Sequence, residues 1–308
     1  MYSLLYCYRK LINWRWEIGF LDNTLEGIVS GEALRVHWVK LPFHNRWFAD
    51  PFILDYNEIE IVLLCEEFSD ELKKGRIARV VIDKNNFRIK SWSIVLELPT
   101  HLSFPRIYRV GGITYVHPEN SANGCLTMYR YDQDKNTLIE AEVVCNEPLT
   151  DAVMIEHNGK DLLFSTYEPT PNGNVLSVYE KREGKYIKVD DIMFDNNCAR
   201  MAGDFFRIGD MIYRPAQDCN GDYGRAVYIQ ETECDSAGHW LFRNVRRLKS
   251  PHPILKWGLH TFNHYNGLIV IDVKGPRYPI VGNILTWLSK LVKNLKELFK
   301  EHGHFIIS

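Results

Sequence analysis

The 308-residue chain has no pair of cysteines at CxxC spacing; its seven cysteines stand apart at 7, 65, 125, 145, 198, 219 and 234. An odd, scattered set argues against a zinc site and a disulfide framework, so a reducing compartment is the simpler expectation. No run of about 18 apolar residues exists, which excludes an ordinary spanning helix. The opening MYSLLYCYRKLINWRWEIGF carries basic residues inside its apolar stretch and no small-residue cleavage pattern, making it a poor signal peptide. An excess of one charge is missing too. The formal net charge is −2, so the bulk electrostatics do not ask for nucleic acid. These absences predict a cytoplasmic protein.

What is plentiful is aromatic: 16 Tyr, 15 Phe and 8 Trp, which suits a β-rich fold and a sugar-stacking site alike. Five segments repeat one layout. They are FADPFILDYNEIEIVLLCEE (48–67), SFPRIYRVGGITYVHPEN (103–120), TDAVMIEHNGKDLLFST (150–166), MAGDFFRIGDMIYRPAQD (201–218) and GLHTFNHYNGLIVID (258–272). Each has a small or polar head, an apolar strand, a turn and a second apolar strand. The heads recur about every 50 residues, a propeller-blade period. Alternating segments between them, such as 75–83, 126–132 and 175–181, supply further strands. The predicted fold is all-β, a five-bladed β-propeller over residues 1–278 in which the N-terminal stretch is a lead-in with Trp14, Trp16 and Ile18 available for packing.

Residues 279–308 change character. Ile284, Leu288, Leu291, Leu295 and Leu298 share one helical face, while Lys290, Lys293, Lys296 and Lys300 lie elsewhere. Such a basic amphipathic helix can pack on protein or lie on anionic lipid, and the residues leave both open. The second option would put the protein at the inner face of a membrane.

In a propeller the unit heads converge on the central channel. That gathers Asp50, Arg106, Asp151, Arg200, Asp204 and His260, with Glu66, Glu67, Glu119, Arg214, Gln217 and Asp218 at nearby strand ends and Tyr223 and Arg225 in the next loop. Carboxylates, arginines and a histidine in one pocket perturb one another's proton affinities, as active sites require. Asp50 and Asp151 are the leading catalytic candidates, with Glu119 beside them; Arg106, Arg200, Asp204, Arg214, Gln217, Asp218, Tyr223, Arg225 and His260 are candidate substrate contacts. Plain structural roles stand next to these. Asp50-Pro51 also fits a turn, Asp151 a local cap, Glu119 a turn in HPENSANG, and Glu66 and Glu67 a strand ending in water. Arg214 and Arg225 bracket a loop and offer planar forks suited to phosphate, or salt bridges to Asp218 or Asp222. No metal or other cofactor is indicated.

The succession WFADPF, LSFPRIY, PENSANGCLTMYRY, TDAVMIEHNG, RMAGDFFRIGDMIYRPAQDCNGDYG and GLHTFN resembles the N-terminal domain of plant glucosamine inositolphosphorylceramide transferase and its stand-alone bacterial relatives, over roughly residues 14–275. In the plant enzyme, sugar transfer is attributed to a separate C-terminal domain, so that activity does not carry over. At fold level the family is similar to propellers of the glycoside hydrolase family 43 type. That resemblance implies a base at Asp50 and a pKa-tuning carboxylate at Asp151. It fails at the general acid: the fourth unit reads RMAGDFF, with Gly203 where a Glu is expected. Without that acid, hydrolysis of an unactivated glycoside is disfavoured, whereas a phosphate-activated donor needs none. The expectation is a glycosyltransferase using such a donor on a glycan or glycolipid acceptor, with Arg200, Arg214 and Arg225 on phosphate and His260 on sugar or phosphate. A hydrolase pairing Asp50 with Glu119 or Asp204, and a non-catalytic glycan-binding module, are the alternatives.

Overall fold

Short turns dictate where the chain reverses. Asn158-Gly159 and Asn266-Gly267 have positive φ at both central residues, as a two-residue hairpin of the right twist demands. In the first unit Asn57 does this work with its side chain, its Oδ1 accepting the Ile59 and Glu60 N–H groups at 2.7 and 2.8 Å. The apolar runs on either side pair antiparallel, giving five four-stranded sheets in a computed structural model that describes residues 13–236, 238–278, 280–285, 287, 288 and 291.

Strands β1 (Trp14–Leu21) and β2 (Val36–Trp38) flank a short helix α1 (Leu25–Ser30), capped by Thr24. Blade one is β3 (Arg46–Tyr56), β4 (Glu60–Ser69), β5 (Lys74–Asp83) and β6 (Ile89–Leu96). Blade two is β7 (Ser103–Val110), β8 (Ile113–Glu119), β9 (Leu126–Asp132) and β10 (Thr137–Cys145). Blade three holds β11 (Leu149–His157), β12 (Lys160–Tyr167), β13 (Val175–Arg182) and β14 (Lys185–Met193). Blade four holds β15 (Phe206–Ile208), β16 (Met211–Asp218), β17 (Ala226–Cys234) and β18 (Trp240–Leu248). The last blade has the order β19 (Gly258–Tyr265), β20 (Leu268–Pro276), β1, β2. The all-β, five-bladed propeller expected from the repeat is therefore the fold.

The lead-in contributes more than packing. All of β1 pairs with β20, from Trp14 opposite Pro276 to Leu21 opposite Ile269, so the start of the chain completes the final blade and closes the ring. A closed ring leaves only short outer edges to protect. Apolar side chains fill the seams between blades. At the closing seam Ile18 and Phe20 of β1 pack with Phe48, Ile53, Leu63 and Val270.

Past the ring, residues 280–285, 287, 288 and 291 are helical, and Ile280, Ile284, Trp287, Leu288 and Leu291 are exposed there. The rest of the amphipathic segment, including Leu295 and Leu298, lies outside the described residues. Among the described residues no helix is long and apolar enough to cross a membrane.

Phe20 is 1% exposed and joins the first and last elements of the ring. Phe20→Ala is expected to destabilise the protein by about 3–5 kcal/mol, read as a lower urea midpoint at unchanged slope. A midpoint shift near zero would mean β1 is not needed for closure.

Candidate active site

Four inner strands carry the same irregularity at the channel. Pairing jumps from Ala49–Glu66 to Phe52–Leu64 in β3, from Ser103–Glu119 to Arg106–His117 in β7, from Thr150–Thr166 to Val153–Phe164 in β11, and from Leu259–Val273 to Phe262–Ile271 in β19. Each jump sets two residues against one, a β-bulge that re-aims side chains. The first bulge residue is Asp50, Phe104, Asp151 or His260. In the first three blades it is left-handed, at φ +49, +41 and +49. Non-glycine residues there cost about 1–3 kcal/mol, strain that folds retain chiefly at functional sites.

Asp50, His260 and Asp272 form one buried chain. His260 Nε2 stands 3.1 Å from Asp50 Oδ1, and its Nδ1 stands 2.7 Å from Asp272 Oδ1. Asp272 also accepts the backbone N–H groups of Thr261 at 3.0 Å, His260 at 3.3 Å and Asp50 at 2.9 Å. Asp50 Oδ2 accepts the Phe104 N–H at 3.1 Å. Burial alone would lower the His260 pKa, but the two carboxylates outweigh it and push it up to about 10. The ring is an imidazolium at neutral pH, stacked on Trp16 with centroids 3.8 Å apart. These three residues also offer ligand atoms within 4.8 Å of one another. The imidazole spends both nitrogens on the carboxylates, so in this arrangement neither nitrogen is free to coordinate a metal ion.

A second cluster ties blades two, three and four together. Arg200 donates from Nε to Asp151 Oδ2 at 2.6 Å and from Nη2 to Glu119 Oε2 at 3.0 Å. Gln217 Nε2 donates to Asp151 Oδ2 at 2.7 Å. Burial raises Glu119 well above the ordinary carboxylate range, although Arg200 works against it. Glu66, opposite Ala49, is raised as well, first by burial and then by the Asp50 charge. Its Oε1 has no hydrogen-bond partner but lies 3.3 Å from His101 Nε2. His101 Nδ1 accepts the Gly75 N–H at 2.9 Å. A neutral ring therefore carries its proton on Nε2, facing Glu66.

Asp50, Glu66, Glu119, Arg200, Tyr223 and His260 open together onto a cavity of about 330 Å³, walled also by Trp14, Trp16, Trp47, Phe68 and His101. Asp151 and Gln217 stand immediately behind Arg200 and orient it. Other expected contacts lie elsewhere. Arg106 and Asp204 pair with each other at 2.7 Å, and Arg106 also donates to Met154 O, bracing inner strands away from this cavity. Arg214 is not a phosphate contact: it is fully buried, donating to Gln230 Oε1 and Ala199 O under Phe194 and Phe242, and burial pushes it down to about 9. Asp218 pairs with Arg247, and Arg225 faces the outer surface of its loop.

The missing acid has a steric cause. Gly203 has φ +158, and a Cβ there would lie 2.0 Å from the Phe262 carbonyl oxygen. No side chain can stand at that position while blade four touches β19. Two residues of the site were not anticipated, Asp272 and His101, while Glu66 was expected at a strand end near the pocket, with a strand ending in water as its plain alternative. A charge inside the otherwise apolar run LIVIDV was the available signal for Asp272.

The family described as glucosamine inositolphosphorylceramide transferase 1, N-terminal, matches residues 36–246, more than half of the chain. The chain belongs to this family. Asp50, Glu66, Glu119, Asp151 and Arg200 fall within the matched stretch, while His260 and Asp272 lie beyond it. The glucosamine inositolphosphorylceramide transferase 1 of Arabidopsis thaliana is 27% identical over 202 residues, covering 61% of this chain and 26% of the plant protein. Its counterpart from Oryza sativa subsp. indica is 26% identical over 206 residues, covering 62% and 27%. The chain thus spans about a quarter of the length of these relatives. Among solved structures, a GH43 β-xylosidase/α-arabinofuranosidase from a compost microbial metagenome superposes with a TM-score of 0.52 at 10% identity, covering 77% of this chain and 93% of that one. At that identity the likeness is one of fold.

Because the folded pKa of His260 lies above its ordinary 6.5, its ion pairs contribute stability that is complete below about pH 6.5 and lost as pH rises through about 10. Thermal melts of wild type and His260→Gln are expected to converge over that window; a constant difference would show that the ring is not charged. Glu66→Gln removes a carboxyl whose charge burial disfavours. It is expected to gain about 0.5–2 kcal/mol at pH 8, seen as a higher melting temperature.

Proposed function

We propose that this propeller is a carbohydrate-active enzyme, transferring a sugar from a phosphate-activated donor to a glycan or glycolipid hydroxyl in surface-glycan or glycolipid assembly. The observation that carries this reading is the cavity itself: a patch of carboxyl groups at its base, two of them with raised proton affinity, under a rim of tryptophans. Aromatic walls suit the apolar faces of a pyranose, and carboxylates suit positive charge developing at its anomeric carbon. Family membership supports a role on carbohydrate.

In this mechanism His260 holds the Asp50 carboxylate in place at the cavity wall. The acceptor oxygen attacks the anomeric carbon, the bond from that carbon to the phosphate oxygen breaks, and the acceptor proton passes to Asp50. The phosphate departs as an anion, so the position that Gly203 leaves empty needs no acid. Arg200, locked by Asp151 and Glu119, holds a fixed positive charge beside the reacting centre.

One observation favours a second reading. The raised proton affinity of Glu66 offers a neutral carboxyl where hydrolysis of an unactivated glycoside would need a proton donor. Asp204, paired with Arg106 outside the cavity, does not serve that role.

A screen of nucleotide sugars and sugar phosphates should find a donor whose turnover falls by about 100-fold or more in Asp50→Asn, with the variant still folded by circular dichroism. Full activity in that variant would remove the proposal. Release of reducing sugar from oligosaccharides with no donor present, lost in Glu66→Gln, would establish the hydrolase instead.

A further inference from the structure

The loop joining β16 to β17 has two faces. Tyr223 looks into the funnel, while Gly221, Asp222 and Arg225 line a different cavity of about 580 Å³ on the other side. Arg247, Lys249 and Lys256 complete its basic wall, and the rings of Trp14 and Trp257 its flat one. Trp14 borders both cavities, so they share a wall. Its ring lies 4.5 Å from Lys274 Nζ, and the Trp257 indole N–H donates to Asn283 Oδ1 at 3.0 Å, which fixes both platforms.

The charges here are not balanced. Asp222, the one carboxylate in the lining, is answered by the buried Lys274 at 3.5 Å, and Arg247 is answered by Asp218. Arg225, Lys249 and Lys256 are exposed, and among the described residues no carboxylate lies within ion-pairing distance of them. In a protein of net charge −2, three unanswered cations facing one hollow are a local concentration of positive charge. Arginine and lysine together around an aromatic platform are suited to phosphate oxygens carried on a larger group.

We propose that this cleft is a second binding site, which takes the phosphate of a substrate whose sugar reaches the funnel across Trp14 and Tyr223. The link to the funnel rests on the transfer reading above; recognition of the anion does not. The phosphate can belong to a soluble activated sugar or to a lipid headgroup. Exposed Ile280, Ile284 and Trp287 flank Asn283 in sequence and give the second source a surface to rest on.

Titration calorimetry of the full chain with inorganic pyrophosphate tests the cleft. Wild type and Asp50→Asn should bind alike, and the double variant Lys249→Gln, Lys256→Gln should bind about tenfold or more weakly. Flotation with phosphatidylcholine vesicles, with and without phosphatidylinositol, separates the sources. Flotation that needs phosphatidylinositol and both lysines, and that pyrophosphate competes away, assigns the site to a lipid phosphate. Lysine-dependent pyrophosphate binding without such flotation assigns it to a soluble one. Pyrophosphate binding that is absent, or equal in wild type and double variant, overturns the proposal. Loss of turnover chemistry with anion binding intact would count only against the transfer reading.

Discussion

The carboxylate of Asp272 is the interaction on which the rest of this structure turns. Buried and fully desolvated, it would be costly if left alone. Instead it gathers backbone N–H groups from two bulges and the ring of His260. One of those N–H groups belongs to Asp50 in the first blade, and Asp272 itself sits on β20 in the last. The same set of bonds therefore joins the two sides of the closing seam and sets the electrostatics of the funnel. Fold closure and site assembly are one event.

Close backbone approach makes this geometry possible. Gly224 brings the loop after β16 onto His260, where a Cβ would stand 2.5 Å from the histidine Cβ. That contact places Tyr223 edge-on to the imidazole, with centroids 5.4 Å apart, and sets the Arg200 guanidinium 5.0 Å from the Tyr223 ring. Loop, histidine and arginine are consequently held by contact rather than by the loop's own sequence preference.

The ring was legible because its signals are local. Asn-Gly turns and apolar alternation mark each hairpin, and the spacing of the heads does the rest. Asp50, Asp151 and His260 were legible as heads, since the bulge falls at the same position in their three blades. Arg214 was misplaced although strand geometry could have corrected it: Gln217 lies three residues further along β16, so the two must face opposite sides. Arg106 went astray for a different reason, and Asp204, ahead of β15, followed it as its ion-pair partner. The bulge shifts the alternation at the channel, and residues past it no longer point where a regular strand would aim them. Asp272 drew no attention because its role depends on partners up to 222 residues away in the chain.

The place of β1 in the last blade has a consequence for how the molecule comes into being. Nearby in the chain β1 meets only the short β2, and the strand that pairs with its whole length is β20, after all the other blades. Until β20 leaves the ribosome, four blades can form, yet the carboxylate that aims Asp50 has not been made. A chain interrupted before β20 thus holds most of the architecture but lacks the group that ties the two closing bulges together.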